Sequence, residues 1–265
     1  MPARSMPPPA PPWRRVQRTL AEWWAVLLFG AVAAVYALSP SSHGARSRGA
    51  TARLLHATSW QALSWFTLLS ALVSLALIRA LVVTAQGYGL SQFALEMVVR
   101  VLVLELVPLG AALFVLLRVA LAGDLLPAPD PAGGLAPQAL PATQWHLVLL
   151  PRVLALGFAV LALAVVSGVL ALVLAYTVVY GFTPWGFDAY TRMVGRVFDP
   201  AVCLALGLKT ALFALAVSVA PLASALQEPR TAPQQAGGFA VRRGTRRALA
   251  ALVLVQTGSL ALRFL

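Results

Sequence analysis

Lysine, cysteine and acidic residues are all scarce in this 265-residue chain. Lys209 is the only lysine and Cys203 the only cysteine, so an intrachain disulfide and a cysteine-based zinc cluster are excluded. His43, His56 and His146 are dispersed at no metal-ligand spacing, and no metal or cofactor is expected. The phosphate-cradling pattern GxxxxGK[ST] is missing, so the chain does not itself hydrolyse nucleotide. Ser167-Gly168 lacks the context of a nucleophile elbow, and no catalytic residue is expected. Charge of any sign makes up only 11% of the residues. A soluble domain carries about 25%. The polar surface needed to face water is missing.

What the chain does have is apolar length. Hydrophobic residues make up 60% of it, which reads as an all-α polytopic membrane protein. A spanning helix needs about 20 mostly apolar residues. Five segments satisfy that, at roughly 62–85, 94–122, 147–181, 200–226 and 246–264, within a transmembrane domain over 53–265. The third is too long for a straight crossing and must tilt, kink or begin outside the bilayer. Pro151, Gly157 and Gly168 are its candidate kink points. Residues 1–12 are proline-rich and read as a disordered tail. In 13–38, Arg14, Arg15 and Arg18 stand beside Trp13, Trp23 and Trp24, as in a helix lying at the interface or half inserted. A sixth span, and a signal peptide with VYA (35–37) as its cleavage site, are the other readings of this segment.

The formal net charge of +12 is clustered: seven arginines fall within 1–53 and five within 227–247. In a membrane chain such clusters mark cytoplasmic loops beside anionic lipid rather than a nucleic-acid site. The N-terminus and the loop 227–245 are therefore placed inside and the C-terminus outside. Arg242, Arg243, Arg246 and Arg247 form a cytoplasmic basic surface at the start of the last helix. Cations are unfavourable at a helix N-terminus, and the attraction of the anionic leaflet offsets that. The loop 182–199 goes outside. Its Phe182, Trp185, Phe187 and Tyr190 suggest a short helix at the outer interface.

Three charges lie inside the spans. The run LVLELVPLGAALFVLLR (102–118) holds Glu105 near its start and Arg118 at its end. Lys209 sits about ten residues into the fourth span. An ionised side chain at mid-bilayer costs at least about 2.5–3.5 kcal/mol. Arg118 is close enough to the cytoplasmic end to snorkel. Glu105 and Lys209 lie at middle or outer depth and are placed to pair across helices. One reading is that the pair only holds the helices together. The other is that it lines a polar cavity for a substrate headgroup. Glu96 and Arg100 form a favourable i,i+4 pair on a solvated face.

Five stretches, in order, resemble the MlaE-type permeases of MCE-associated ABC transporters, which move phospholipids between bacterial membranes. They are AQGYG (85–89), LELVPLGAALFVLLRVA (104–120), LPATQWHLVLLPRVLA (140–155), FDPAVCLALGLKTALFAL (198–215) and AGGFAVRRGTRRAL (236–249). The resemblance implies an N-terminal interfacial helix followed by five spans in the bacterial inner membrane. It implies a second permease chain, a cytoplasmic ABC ATPase and a periplasmic MCE lipid-binding protein as partners. It also implies an outward-facing cavity that holds phospholipid, with Tyr88, Glu105 and Lys209 lining it or its rim. The chain would then be a transporter subunit rather than an enzyme.

The departures from the family pattern concentrate where the ATPase docks. The equivalent of the coupling helix, 121–144, carries Pro127, Pro129, Pro131, Pro137 and Pro141, which one helix cannot hold. Arg118, Asp124 and Asp130 are what is left of the coupling region. Leu104 replaces an arginine and Val107 a glycine, and QTGS (256–259) stands where the last span usually has an acid. A divergent half of a permease heterodimer, and a scaffold that tethers an MCE protein without transport, are the alternatives these departures raise. A channel has intramembrane charge in its favour but no filter motif or repeat.

Overall fold

A computed structural model describes residues 45–89, 91–122, 145–227 and 236–264. The tail 1–12, the segment 13–38, Asp124 and Asp130 lie outside these residues, as does almost all of the proline-rich stretch. Every regular element among the described residues is helical. They run α1 (Ala45–Gly87), α2 (Ser91–Val98), a π-helix (Val99–Leu106), α3 (Val107–Ala122) and α4 (Trp145–Tyr180), then a 3-10 turn (Pro184–Gly186), α5 (Phe187–Val197), α6 (Pro200–Gln227) and α7 (Ala236–Phe264). Four helical stretches are long and apolar enough to cross a membrane: Ser64–Gly87, Phe93–Leu121, which runs through α2, the π-helix and α3, Arg152–Tyr180 and Pro200–Ser224. The chain is a polytopic helical membrane protein.

The expected fifth span also forms a helix, α7, but its basic first turns and the polar Gln256-Thr257-Gly258-Ser259 make it less apolar than the others. The long third segment is one unbroken helix of 36 residues, and its apolar window starts at Arg152. Among the three solutions to its excess length, beginning outside the hydrocarbon agrees with that start. The loop 182–199 does contain a short helix, α5, but its apolar face is turned onto the bundle. Tyr190 and Val197 are buried there, and the Tyr190 hydroxyl donates to the Leu172 carbonyl at 2.8 Å. Three aromatic side chains stay exposed: Phe182 and Trp185 in the turn before it, and Phe187 at its first position.

Two helix ends show why the chain turns where it does. α1 stops at Gly87 and α4 at Tyr180, and each is followed by a glycine at φ +70, Gly89 and Gly181. That left-handed conformation suits a residue without Cβ and closes a helix C-terminus. Gly181 completes the cap by donating its N–H to the Thr177 carbonyl at 3.0 Å.

α4 is the central rod, packed against α1 on one side and against α3 and α6 on the other, while α7 packs on α6 and α3. Two apolar cores follow. One gathers α3, α4, α6 and α7 around Leu116, Val160, Phe213 and Leu252. The other gathers the π-helix, α4 and α5 around Val99, Leu102 and Ala175. α1 touches α3 only sparsely. Between them runs a groove of about 410 Å³, lined by Phe66, Ser70, Val73, Leu106, Gly110 and Leu113 among others.

Candidate functional site: a buried polar cluster between three helices

The geometry begins with Pro108. Proline has no N–H to give, and its ring crowds the carbonyl four residues back, so a regular helix is interrupted there. Just ahead of it the backbone runs for eight residues as a π-helix, Val99–Leu106. The Val107 N–H reaches five residues back to the Leu102 carbonyl. A π-turn places one more residue in each turn than an α-turn does, so it re-aims side chains; such turns recur at functional sites. Here Glu105 falls in the last turn of the π-helix and is buried, at 8% exposure.

Glu105 meets two partners from two other helices. The Lys209 ammonium, on α6, donates to Glu105 Oε2 in a salt bridge. The Gln256 amide nitrogen, on α7, donates to the same oxygen at 2.6 Å. Lys209 is 5% exposed, and its Nζ also lies 5.8 Å from the centre of the Phe213 ring, within reach of a cation–π attraction. The expected pairing across helices is therefore present. Charge is balanced within the cluster, and this is what makes a carboxylate and an ammonium tolerable among apolar helices.

Tyr88, expected with them at a cavity, is not in this cluster. It stands at the end of α1, 79% exposed, its N–H bonded to the Thr84 carbonyl. Gln256 is the member that sequence reasoning missed. The signal was available only as a departure, a polar residue where a carboxylate was expected.

At the far end of the bundle Arg118 is half-buried on α3. Arg246 is exposed, as expected of a basic surface. Arg247 corrects that expectation: it is 8% exposed, and its Nη1 donates to Ser224 Oγ on α6 at 3.3 Å. Adjacent positions on a helix point about 100° apart, and here that step turns Arg247 from the exposed side of Arg246 onto α6. Arg242 and Arg243 lie on the same helix, α7; their side chains are outside the described set. The packing beside Arg247 is close. A Cβ at Gly244 would stand 2.7 Å from the Pro221 Cα, so α6 and α7 cross there backbone to backbone. Glu96 and Arg100 form their expected ion pair, 3.1 Å apart on an exposed face.

The cluster can hold opposite charges at membrane depth and can offer hydrogen-bonding groups to a polar moiety. The family model of Permease MlaE matches the chain over residues 51–123 and 136–259. No curated protein and no solved structure shows significant similarity to it. The match takes in all three cluster residues and every span-forming helix, and the chain belongs to the MlaE permease family, the membrane permease subunits of ABC-type transporters.

Proposed function

We propose that this chain is the permease subunit of a phospholipid transporter in the bacterial inner membrane, with its N-terminus in the cytoplasm and its C-terminus in the periplasm. Two permease chains form the membrane core. A separate cytoplasmic ATPase supplies the energy, and a periplasmic MCE protein exchanges lipid with the core. The chain itself makes and breaks no covalent bond. Glu105 and Lys209 receive the lipid headgroup, with Tyr88 at the rim. Arg118, Asp124 and Asp130 belong to the region facing the ATPase, and Arg242, Arg243 and Arg246 face the cytoplasmic leaflet.

The observation that carries this reading is the buried Glu105–Lys209–Gln256 cluster in a chain of this family. Apolar residues would fill the same space without the desolvation cost, so a purely structural role is a poor use of it. The test is gentle extraction from the native host and identification of what co-purifies, followed by lipid transfer in reconstituted vesicles. An ATPase and an MCE protein in stoichiometric amounts, with ATP-dependent transfer, is the expected result. An MCE protein without an ATPase would instead establish the tethering scaffold that the proline-rich 123–144 stretch favours. A second, different permease chain would establish the heterodimer. Reversing the charges at positions 105 and 209 together separates structure from transport. Restored assembly without restored transfer would rule out a purely structural pair.

A further inference from the structure

Gln256 presents its two amide atoms unequally. A carboxylate bonded to an ammonium can only accept, so the amide must turn its nitrogen to Glu105. The Nε2–Oε2 contact of 2.6 Å is that bond. The amide oxygen then points away. Gln256 Oε1 is buried and has no hydrogen-bond partner among the described residues. Leaving a buried acceptor unmet is costly, and such atoms in native proteins usually await a donor. The surrounding face of α7 shows where one would come from. Val253 and Leu260, one turn to either side of Gln256, are exposed, as is the adjacent Thr257. Gln256 is the half-buried member of the cluster and Glu105 and Lys209 are the fully buried ones, so a headgroup that parts this face reaches Gln256 before them.

We infer that Gln256 sets headgroup selectivity: its amide oxygen accepts a hydrogen bond from the lipid, so the site takes phospholipids whose headgroups carry N–H or O–H donors and discriminates against trimethylammonium headgroups. This rests on the phospholipid-permease reading above. The reason is electrostatic as well as geometric. Glu105 and Lys209 cancel each other, so the cluster cannot choose by net charge. An ethanolamine, zwitterionic, and a glycerol, carried on an anionic lipid, both bring donors. A choline brings none. A site built to hydrogen-bond a donor rejects an analogue that lacks it far more strongly than an apolar pocket rejects a size change.

The experiment uses the intact complex in nanodiscs containing equal amounts of phosphatidylethanolamine, its N-methyl and N,N-dimethyl forms, phosphatidylglycerol and phosphatidylcholine, all with the same acyl chains. Lipid retained after extraction is quantified by mass spectrometry. Retention should hold through the dimethyl form and drop roughly tenfold at the third methyl, where the last N–H disappears. Phosphatidylglycerol should be retained with the donors. In Q256M the drop at the third methyl should vanish, whatever the total amount of lipid bound, because the acceptor that reads the donor is gone. A gradual decline with each methyl would mean that size is what is read, and would overturn the inference. So would an unchanged profile in Q256M, or a Q256M complex that loses its second permease chain, which would give the oxygen a protein donor. In each of these cases lipid is still bound by the wild type, and the phospholipid reading stands. No retained lipid of any kind in the wild type would overturn both.

Discussion

Glu105, Lys209 and Gln256 come from three helices that are far apart in sequence, and each constrains the others. Removing one charge leaves the other buried without its counter-ion, a loss of about 3–5 kcal/mol. K209M should therefore lower the thermal unfolding midpoint in detergent markedly, and E105Q/K209M together should recover most of it. A double variant as unstable as K209M would show that the pair is not the source of the cost. Tyr190 offers a second measurement. Burial, with Tyr180 beside it, pushes its phenol up from 10.0 to about 12. The folded state thus keeps a proton that the unfolded chain gives up. Its contribution to stability is full below pH 10 and is lost as pH rises towards 12. Y190F should flatten that alkaline loss in a denaturation series; an unaltered slope would assign it to other groups. Of these residues, the acid and the base were legible in the sequence, because charge in an apolar run is conspicuous. Gln256 was not: an amide at a helix position is unremarkable until a carboxylate is placed against it.

The helices themselves were readable from apolar length alone, and their ends fell within a few residues of expectation in most cases. The π-helix was not readable. It needs Pro108, visible in the sequence, together with the packing that rewards aiming Glu105 at α6 and α7, which is a tertiary fact. The short helix α5 was legible in the loop 182–199, but the surface its apolar side packs on was not, for a related reason. An apolar stripe fits a membrane surface and a protein surface equally well, and only the contacts of Tyr190 and Val197 decide. The α6–α7 crossing gives the prediction at this scale. With 2.7 Å between a Cβ at position 244 and the Pro221 backbone, G244A must push the helices apart, at about 1–3 kcal/mol. The unfolding midpoint should fall accordingly, and Arg247 should lose its bond to Ser224. A G244A variant of unchanged stability would mean that the crossing is loose.

At the scale of the whole molecule, the clustered arginines set an orientation that the native cysteine can test. Cys203 is exposed three residues into α6, next to the outer loop in the expected topology. A membrane-impermeant maleimide added to intact spheroplasts should label it. Labelling only in inverted vesicles would reverse the topology. Residues 13–38 and 123–144 carry the remaining sequence expectations, one about anchoring and the other about coupling. The first sets arginine and tryptophan before a short apolar run, and the second sets five prolines among two acidic residues.

The 36 residues of α4 run about 54 Å, against a hydrocarbon core of about 30 Å. A stiff rod longer than the slab it crosses is a lever with its fulcrum in the membrane. A push on the protruding end is delivered, undamped by any loop, to the opposite leaflet. The π-helix and α6, which carry Glu105 and Lys209, are both packed along its shaft, so a tilt of the rod reaches the ion pair from both sides.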